Sequence, residues 1–213
     1  MTLSRSALLV HFAALLAAWV AAWLLKRGLD RVVSFSPFGA VLFWTAMKLV
    51  VWIAPCVALL VRAGRRPVSY LRLVLDRRAI AWAGGVSLVL AAANLAVRRA
   101  EGEPLGFPEW SAPLASVLVV TPVLEEVLMR GYFLRAFEDA GAARFRANLA
   151  VSLLFLGLHV PGWAFTGAFS SPDILRHVPT IFVLGLLFGF VRQRSGSTLA
   201  AVVVHSVNNL FGR

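Results

Sequence analysis

Seven apolar runs, separated by short segments crowded with arginine, leave this chain few ways to fold. The runs lie at roughly 7–25, 38–61, 79–97, 111–139, 146–162, 178–191 and 198–211. A helix crosses a hydrocarbon layer of ~30 Å with about 20 residues, and helices satisfy every backbone polar group internally. The residues are 60% hydrophobic and only 15% charged, with a mean hydropathy of +0.80, where soluble domains carry ~25% charge. The sequence therefore predicts an all-α, polytopic transmembrane helical bundle of about seven spans. We read residues 1–213 as a single membrane domain, with no internal repeat and with a motif-bearing core over about 111–211. The last two runs are short for a full crossing and are expected to begin in the interface or to line a wet cavity. The first run imitates a signal peptide, but 19 apolar residues followed by Lys26-Arg27 fit an uncleaved first helix.

The net charge of +11 comes from arginine far more than from lysine. Nucleic-acid binding would need the basic groups on one continuous face. Here they sit in short inter-span segments, which is the pattern of positive-inside anchoring, so the expected partners are membrane lipids and no nucleic acid. Segment 62–78 carries Arg62, Arg65, Arg66, Arg72, Arg77 and Arg78 against Asp76 alone, whereas segment 98–110 sets Arg98 and Arg99 against Glu101, Glu103 and Glu109. The first is expected on the cytoplasmic side and the second opposite. Alternation then places the N-terminus, residues 140–145, Arg192 and Arg194 inside and the C-terminus outside, with Lys26, Arg27 and Arg31 running against the trend. Residues 67–78 are predicted to form a basic amphipathic helix on the membrane surface. Trp19, Trp23, Trp110 and Trp163 near span ends read as an interfacial belt, and His11 and His177 as interfacial. Gly185 and Gly189 give the sixth span a small face for close helix packing. The lone Cys56 excludes an internal disulfide and a cysteine metal site.

Inside the fourth run stand two adjacent carboxylates, Glu125 and Glu126, with Arg130 after them. A charged carboxylate at membrane depth costs at least ~2.5–3.5 kcal/mol, so the default reading of such residues is functional. Three polar clusters fall in apolar spans: Glu125, Glu126 and Arg130; His159; and His205 with Asn208 and Asn209. Glu125 precedes the helix-ending Gly141 by 16 residues and His159 follows it by 18. At ~1.5 Å per residue an antiparallel hairpin brings the two to nearly one depth. His205 and Asn209 share a helix face at i and i+4, and Glu126 can pair with Arg130 at the same spacing. Glu125 points about 100° away from Glu126, so the two need not do the same work. Asn208 reads as an interhelical hydrogen-bonding residue, and Lys48, in mid-span, as a group that snorkels or pairs with a carboxylate.

The series Glu125-Glu126-x-x-x-Arg130, Phe155-x-x-x-His159 and His205-x-x-x-Asn209 resembles the three motifs of the CPBP family, which contains type II CAAX prenyl endopeptidases and bacterial intramembrane proteases linked to bacteriocin processing and self-immunity. The stretch that matches runs from about Ser111 to Asn209; the first three spans carry no motif.

Hydrolysis of a peptide bond needs an activated water and a stabilised oxyanion. Glu125 with His159 can hold and deprotonate a water, while His205 and the Asn209 amide can donate to the oxyanion. The resemblance implies the same division, with Glu126 and Arg130 in support. No Ser or Cys stands where a covalent nucleophile would. Proteins of the family are often labelled metalloproteases, and Glu125, Glu126, His159 and His205 are the residues that would ligate zinc. Yet the spacing departs from His-Glu-x-x-His and no helix offers two His ligands, so the expectation is a metal-free site with zinc as the alternative. The expected substrate is a membrane-anchored or lipidated protein or peptide. The Arg-heavy composition points to a GC-rich bacterium and its cytoplasmic membrane, where a protease cutting C-terminal anchor tails or processing peptides fits better than one cutting prenylated proteins. Two other classes compete: a non-catalytic immunity or scaffold protein, against which the intact motifs argue, and a proton-coupled transporter, whose paired halves are missing.

Overall fold

The computed structural model describes residues 3–212. Among them there is no strand. Seven helices account for the apolar runs: α1 (Arg5–Leu29), α2 (Pro37–Arg62), α3 (Arg77–Ala100), α4 (Ala112–Asp139), α5 (Arg144–Thr166), α6 (Ile174–Ser195) and α7 (Thr198–Phe211). The first six are long and apolar enough to cross a bilayer. The sixth run is thus a correction: α6 has 22 residues because the helix continues through Arg176 and His177 at one end and Arg192 to Ser195 at the other. Only α7, at 14 residues, stays short. Ser4, Ser36, Asp76, Ser111 and Ser197 each accept a backbone N–H from the first turn of α1, α2, α3, α4 and α7, which satisfies donors that lipid could not. Gly167 and Gly196, both at φ 76°, take the left-handed position that closes α5 and α6.

Two of the long helices widen locally into π-turns at a proline. In α2 the π-turn is Leu49–Ile53 and Pro55 follows; in α4 it is Ser116–Val120 and Pro122 follows. Proline has no N–H to give, so a carbonyl one turn back is released. A third π-segment, Val127–Phe133, carries Arg130. Such segments concentrate at functional sites, and here two of them flank the Glu125-Glu126 pair.

The fourth helix is the most enclosed: 44% of its apolar window is buried, against 11% for α3. One core joins α1, α2, α4 and α5 through Leu8, Phe12, Trp19, Trp52, Phe133 and Phe155. A smaller one joins α3, α6 and α7 through Ala79, Ala83, Phe188, Val191 and Ala201. Leu88, Val89 and Leu175, each more than two-thirds exposed, turn outward, as lipid-facing side chains do. Trp19 and Trp23 are not belt residues. They pack inward with Trp44 and Trp52, with ring centroids 4.3–6.4 Å apart. His11 is likewise inside the bundle, 3.1 Å from the Tyr132 hydroxyl. Trp110 and His177 are exposed.

The arginine-rich segments gather at one end. Arg5 donates to the Gly141 carbonyl at 2.6 Å, Arg72 to the Gly196 carbonyl at 2.9 Å, and Arg144 to the Gln193 carbonyl. The N-terminal end of α1, residues 62–78, the α4–α5 turn and the α6–α7 turn therefore share a side, which is the grouping that the charge pattern required. The helix expected over 67–78 is a single turn, Pro67–Tyr70. Arg72 then takes φ 55°, and the chain runs extended because its carbonyls serve α7: Leu71 accepts from the Thr198 hydroxyl at 2.6 Å, Arg72 from the Thr198 N–H at 3.0 Å, and Val74 from the Ser197 hydroxyl.

Close packing of α5 on α6 rests on the glycines the sequence singled out. A Cβ at Gly185 would meet the Ser152 Cβ at 3.2 Å, and one at Gly189 would fall 1.8 Å from Asn148 Oδ1. Asn148 is buried and donates to the Leu186 carbonyl at 2.9 Å. Gly189→Ala is expected to cost about 1–3 kcal/mol, the usual range for overpacking, read as a lower Tm in detergent; a Tm unchanged from wild type would mean that Asn148 swings aside freely.

Candidate active site

Glu125 and Glu126 leave α4 in different directions and find different partners. Glu126 is fully buried, and its Oε1 lies 3.1 Å from Arg130 Nη1 and 2.9 Å from His205 Nδ1. Arg130 is also fully buried. Its Nη2 donates to the Gly185 carbonyl at 2.8 Å, and the guanidinium lies over the rings of Phe155 at 4.4 Å and Phe188 at 5.6 Å. The His205 ring stacks on Phe188 with centroids 4.6 Å apart. An Arg–Glu–His chain thus ties α4 to α6 and α7. Because Nδ1 of His205 is taken by Glu126, Nε2 is its free nitrogen.

Glu125 faces two cavities. Lys48 Nζ, from α2, lies 3.3 Å from its Oε1 and donates to the Thr121 hydroxyl at 3.0 Å. Lys48 therefore pairs with a carboxylate rather than snorkelling, which offsets the charge of Glu125 at membrane depth. His159, from α5, borders the same two cavities. Its Nδ1 donates to the Phe155 carbonyl at 2.9 Å, which can only accept, so Nε2 is left as the lone-pair nitrogen. Phe155 of the second motif thus orients His159 with its carbonyl and covers Arg130 with its ring.

Asn209 stands beside the proline turn of α4. Within the π-turn the Thr121 N–H bonds the Ser116 carbonyl. In that register the next donor would belong to residue 122, a proline without an N–H. The Val117 carbonyl so released accepts from Asn209 Nδ2 at 3.0 Å. One amide hydrogen fixes the side chain and the other stays free. Asn208 hydrogen-bonds across to Asn94 of α3 at 3.5 Å, the interhelical part expected of it.

The two cavities meet at Thr121, Glu125 and His159. One, of about 570 Å³, is walled by Trp19, Trp23, Trp44, Trp52 and Trp163. The other, of about 380 Å³, holds His205, Asn208, Asn209 and Asn94. Every residue singled out from the sequence for water activation or oxyanion binding borders the second cavity, while Glu126 and Arg130 lie behind it. Sequence reasoning missed Thr121 and the meeting of the cavities, and it set Lys48 apart from the site; a lysine in the middle of an apolar run was the available signal. The carboxylates that zinc would need are already engaged with other side chains. Glu126 Oε1 is shared between Arg130 and His205, Glu125 is held by Lys48, and among the described residues no three His, Cys, Asp or Glu side chains are grouped to hold an ion.

Buried carboxylates and imidazoles at a cavity junction put this chain among polytopic membrane proteins with an intramembrane polar site. Residues 107–211, the motif-bearing stretch of the chain, match the family described as Type II CAAX prenyl endopeptidase Rce1-like. Neither the curated proteins nor the solved structures include a match to the chain.

Proposed function

We propose that the protein is an intramembrane endopeptidase that cuts a membrane-anchored or lipidated protein or peptide by direct attack of water. The observation that carries this reading is the junction of the two cavities at Glu125 and His159. Glu125 takes a proton from a water that His159 Nε2 also holds. The resulting hydroxide attacks the scissile carbonyl carbon. His205, held by Glu126 through Nδ1, offers Nε2–H to the oxyanion, and Asn209 offers its second amide hydrogen. Collapse of the tetrahedral intermediate breaks the C–N bond, and Glu125 returns the proton to the leaving amine. Lys48 Nζ, 3.3 Å away, sets a positive charge beside the carboxylate that acts as base. The tryptophan-walled cavity suits an apolar anchor or lipid next to the cleaved bond, and the asparagine-lined one suits polar main chain. The bacterial cytoplasmic membrane is the location we assign, from the arginine-rich composition.

The test is comparative membrane proteomics of wild-type and Glu125→Gln cells. A membrane protein that stays longer in the variant, and that purified wild-type enzyme then cuts at the same bond, is the expected result. Cells whose wild-type phenotype survives Glu125→Gln, with no protein differing in length, would instead favour an immunity or scaffold protein.

Two further outcomes follow from this mechanism. Asn209→Ala is expected to lower kcat by about 10²–10³ with KM nearly unchanged, as for loss of one oxyanion donor; a raised KM with normal kcat would make Asn209 a substrate-positioning residue. The second concerns metal. Purified enzyme is expected to hold well under one equivalent of transition metal and to keep its rate after exhaustive chelation. Activity regained with stoichiometric zinc, and zinc uptake lost in His159→Ala, would overturn the metal-free reading.

A further inference from the structure

At the arginine-rich end, remote from Glu125, a cavity of about 420 Å³ opens between the α4–α5 turn, the C-terminal end of α6 and the extended segment after Tyr70. Four guanidinium groups line it, those of Arg72, Arg135, Arg144 and Arg192, with the carboxylates Glu138 and Asp139. Arg192 is 5% exposed, and its Nη1 lies 3.3 Å from Glu138 Oε2, but its Nε and Nη2 are buried without a partner. A buried donor left unpaired costs ~1–3 kcal/mol and a charged one more, so a chain that keeps one beside a cavity keeps it for an acceptor. Neither carboxylate supplies that acceptor. Glu138 Oε1 is taken by Gln193 at 2.8 Å, and Asp139 Oδ1 by Arg135 Nε at 2.9 Å. Arg72 is aimed by its left-handed backbone and its bond to the Gly196 carbonyl, and Arg144 by its bond to the Gln193 carbonyl. Four cations against two anions leave an excess of positive charge in a cavity whose walls are already hydrogen-bonded in place.

We propose that this cavity is a phosphate-binding site. Guanidinium forks match a phosphate's oxygens in pairs, and Arg72, Arg135 and Arg144 line the cavity with Arg192 enclosed at its wall. The site lies at the end of the bundle that the arginine segments assign to the cytoplasmic face, where the headgroups of anionic lipids and free phosphate are both within reach. The ligand chemistry is a phosphate mono- or diester, or inorganic phosphate itself.

The experiment uses the full chain purified in phosphate-free detergent. Its Tm is followed while inorganic phosphate, phosphatidylglycerol in mixed micelles, or phosphatidylcholine in the same micelles is added. Saturable stabilisation by phosphatidylglycerol but not phosphatidylcholine identifies a lipid headgroup as the source; stabilisation by inorganic phosphate alone identifies a soluble one. In either case Arg144→Gln, at the exposed rim, is expected to weaken apparent affinity about tenfold or more. Arg66→Gln removes the same charge outside the cavity and is expected to change it little. Arg192→Gln is measured alongside, but it leaves Glu138 without its guanidinium and can lower Tm by itself, so the rim variant decides. No stabilisation by any of the three additions would overturn the proposal. So would an equal loss in Arg66→Gln and Arg144→Gln, because binding would then be diffuse surface charge.

Discussion

Glu125→Gln is expected to remove hydrolysis by about 10²–10⁴-fold, the usual share of a positioned general base, while the protein keeps its fold and abundance. The amide keeps the shape of the side chain, and its oxygen still accepts from Lys48, which also keeps its bond to Thr121. What disappears is the ability to take a proton from water. The measurement is cleavage of an identified substrate by purified variant and wild type, with Tm recorded on the same samples. Activity within tenfold of wild type would sink the base assignment and move attention to His159. Lys48→Met belongs in the same series: if the ammonium only holds Glu125 charged, the rate falls through kcat and KM is spared.

Arg130→Ala is expected to have the largest effect on stability, about 3–5 kcal/mol, the cost of breaking a buried ion pair by removing one partner. The side chain is wholly enclosed and serves four neighbours at once: the Glu126 carboxylate at 3.1 Å, the Gly185 carbonyl at 2.8 Å, and the faces of Phe155 and Phe188. Its removal leaves the Glu126 carboxylate with only His205 beside it and opens a void between α4, α5 and α6. Abundance in membranes and Tm in detergent are the readouts, and both are expected to fall together with activity. Arg130→Lys keeps the charge but cannot reach the carboxylate and the carbonyl with one planar fork, so only part of the loss is expected to return. An Arg130→Ala protein that melts like wild type yet is inactive would mean that the guanidinium acts on substrate.

The parts of this structure readable in the sequence are those governed by periodicity and desolvation. Apolar length placed all seven helices. The expense of a charge in lipid marked Glu125, Glu126 and Arg130, and i, i+4 spacing paired Glu126 with Arg130 before any coordinates. Equal distance from Gly141 brought Glu125 and His159 to the same junction. What stayed hidden depends on partners distant in sequence. The segment after Tyr70 has the composition of an amphipathic helix, but its carbonyls are drawn to Ser197 and Thr198, 123 to 127 residues away, and local propensity yields to that. Trp19 and Trp23 have the composition and position of belt residues, and only the arrival of Trp44 and Trp52 from α2 turns them inward. Sequence alone assigns His205 the part of an oxyanion donor, or of a zinc ligand in the alternative; its bond to Glu126 spans 79 residues and has no local signature.

The two halves of the chain contribute unequally to one site. Residues 107–211 supply Glu125, Glu126, Arg130, His159, His205 and Asn209, and this is the stretch that matches the protease family. The other half supplies Lys48 and four of the five tryptophans walling the larger cavity. Under the proposed function, chemistry would be carried on one segment and selectivity on another. Relatives that retain the motif-bearing segment while replacing α1 and α2 would cleave by the same steps and choose different clients, and a motif search restricted to the second segment would sort such proteins by reaction while remaining blind to what each one cuts.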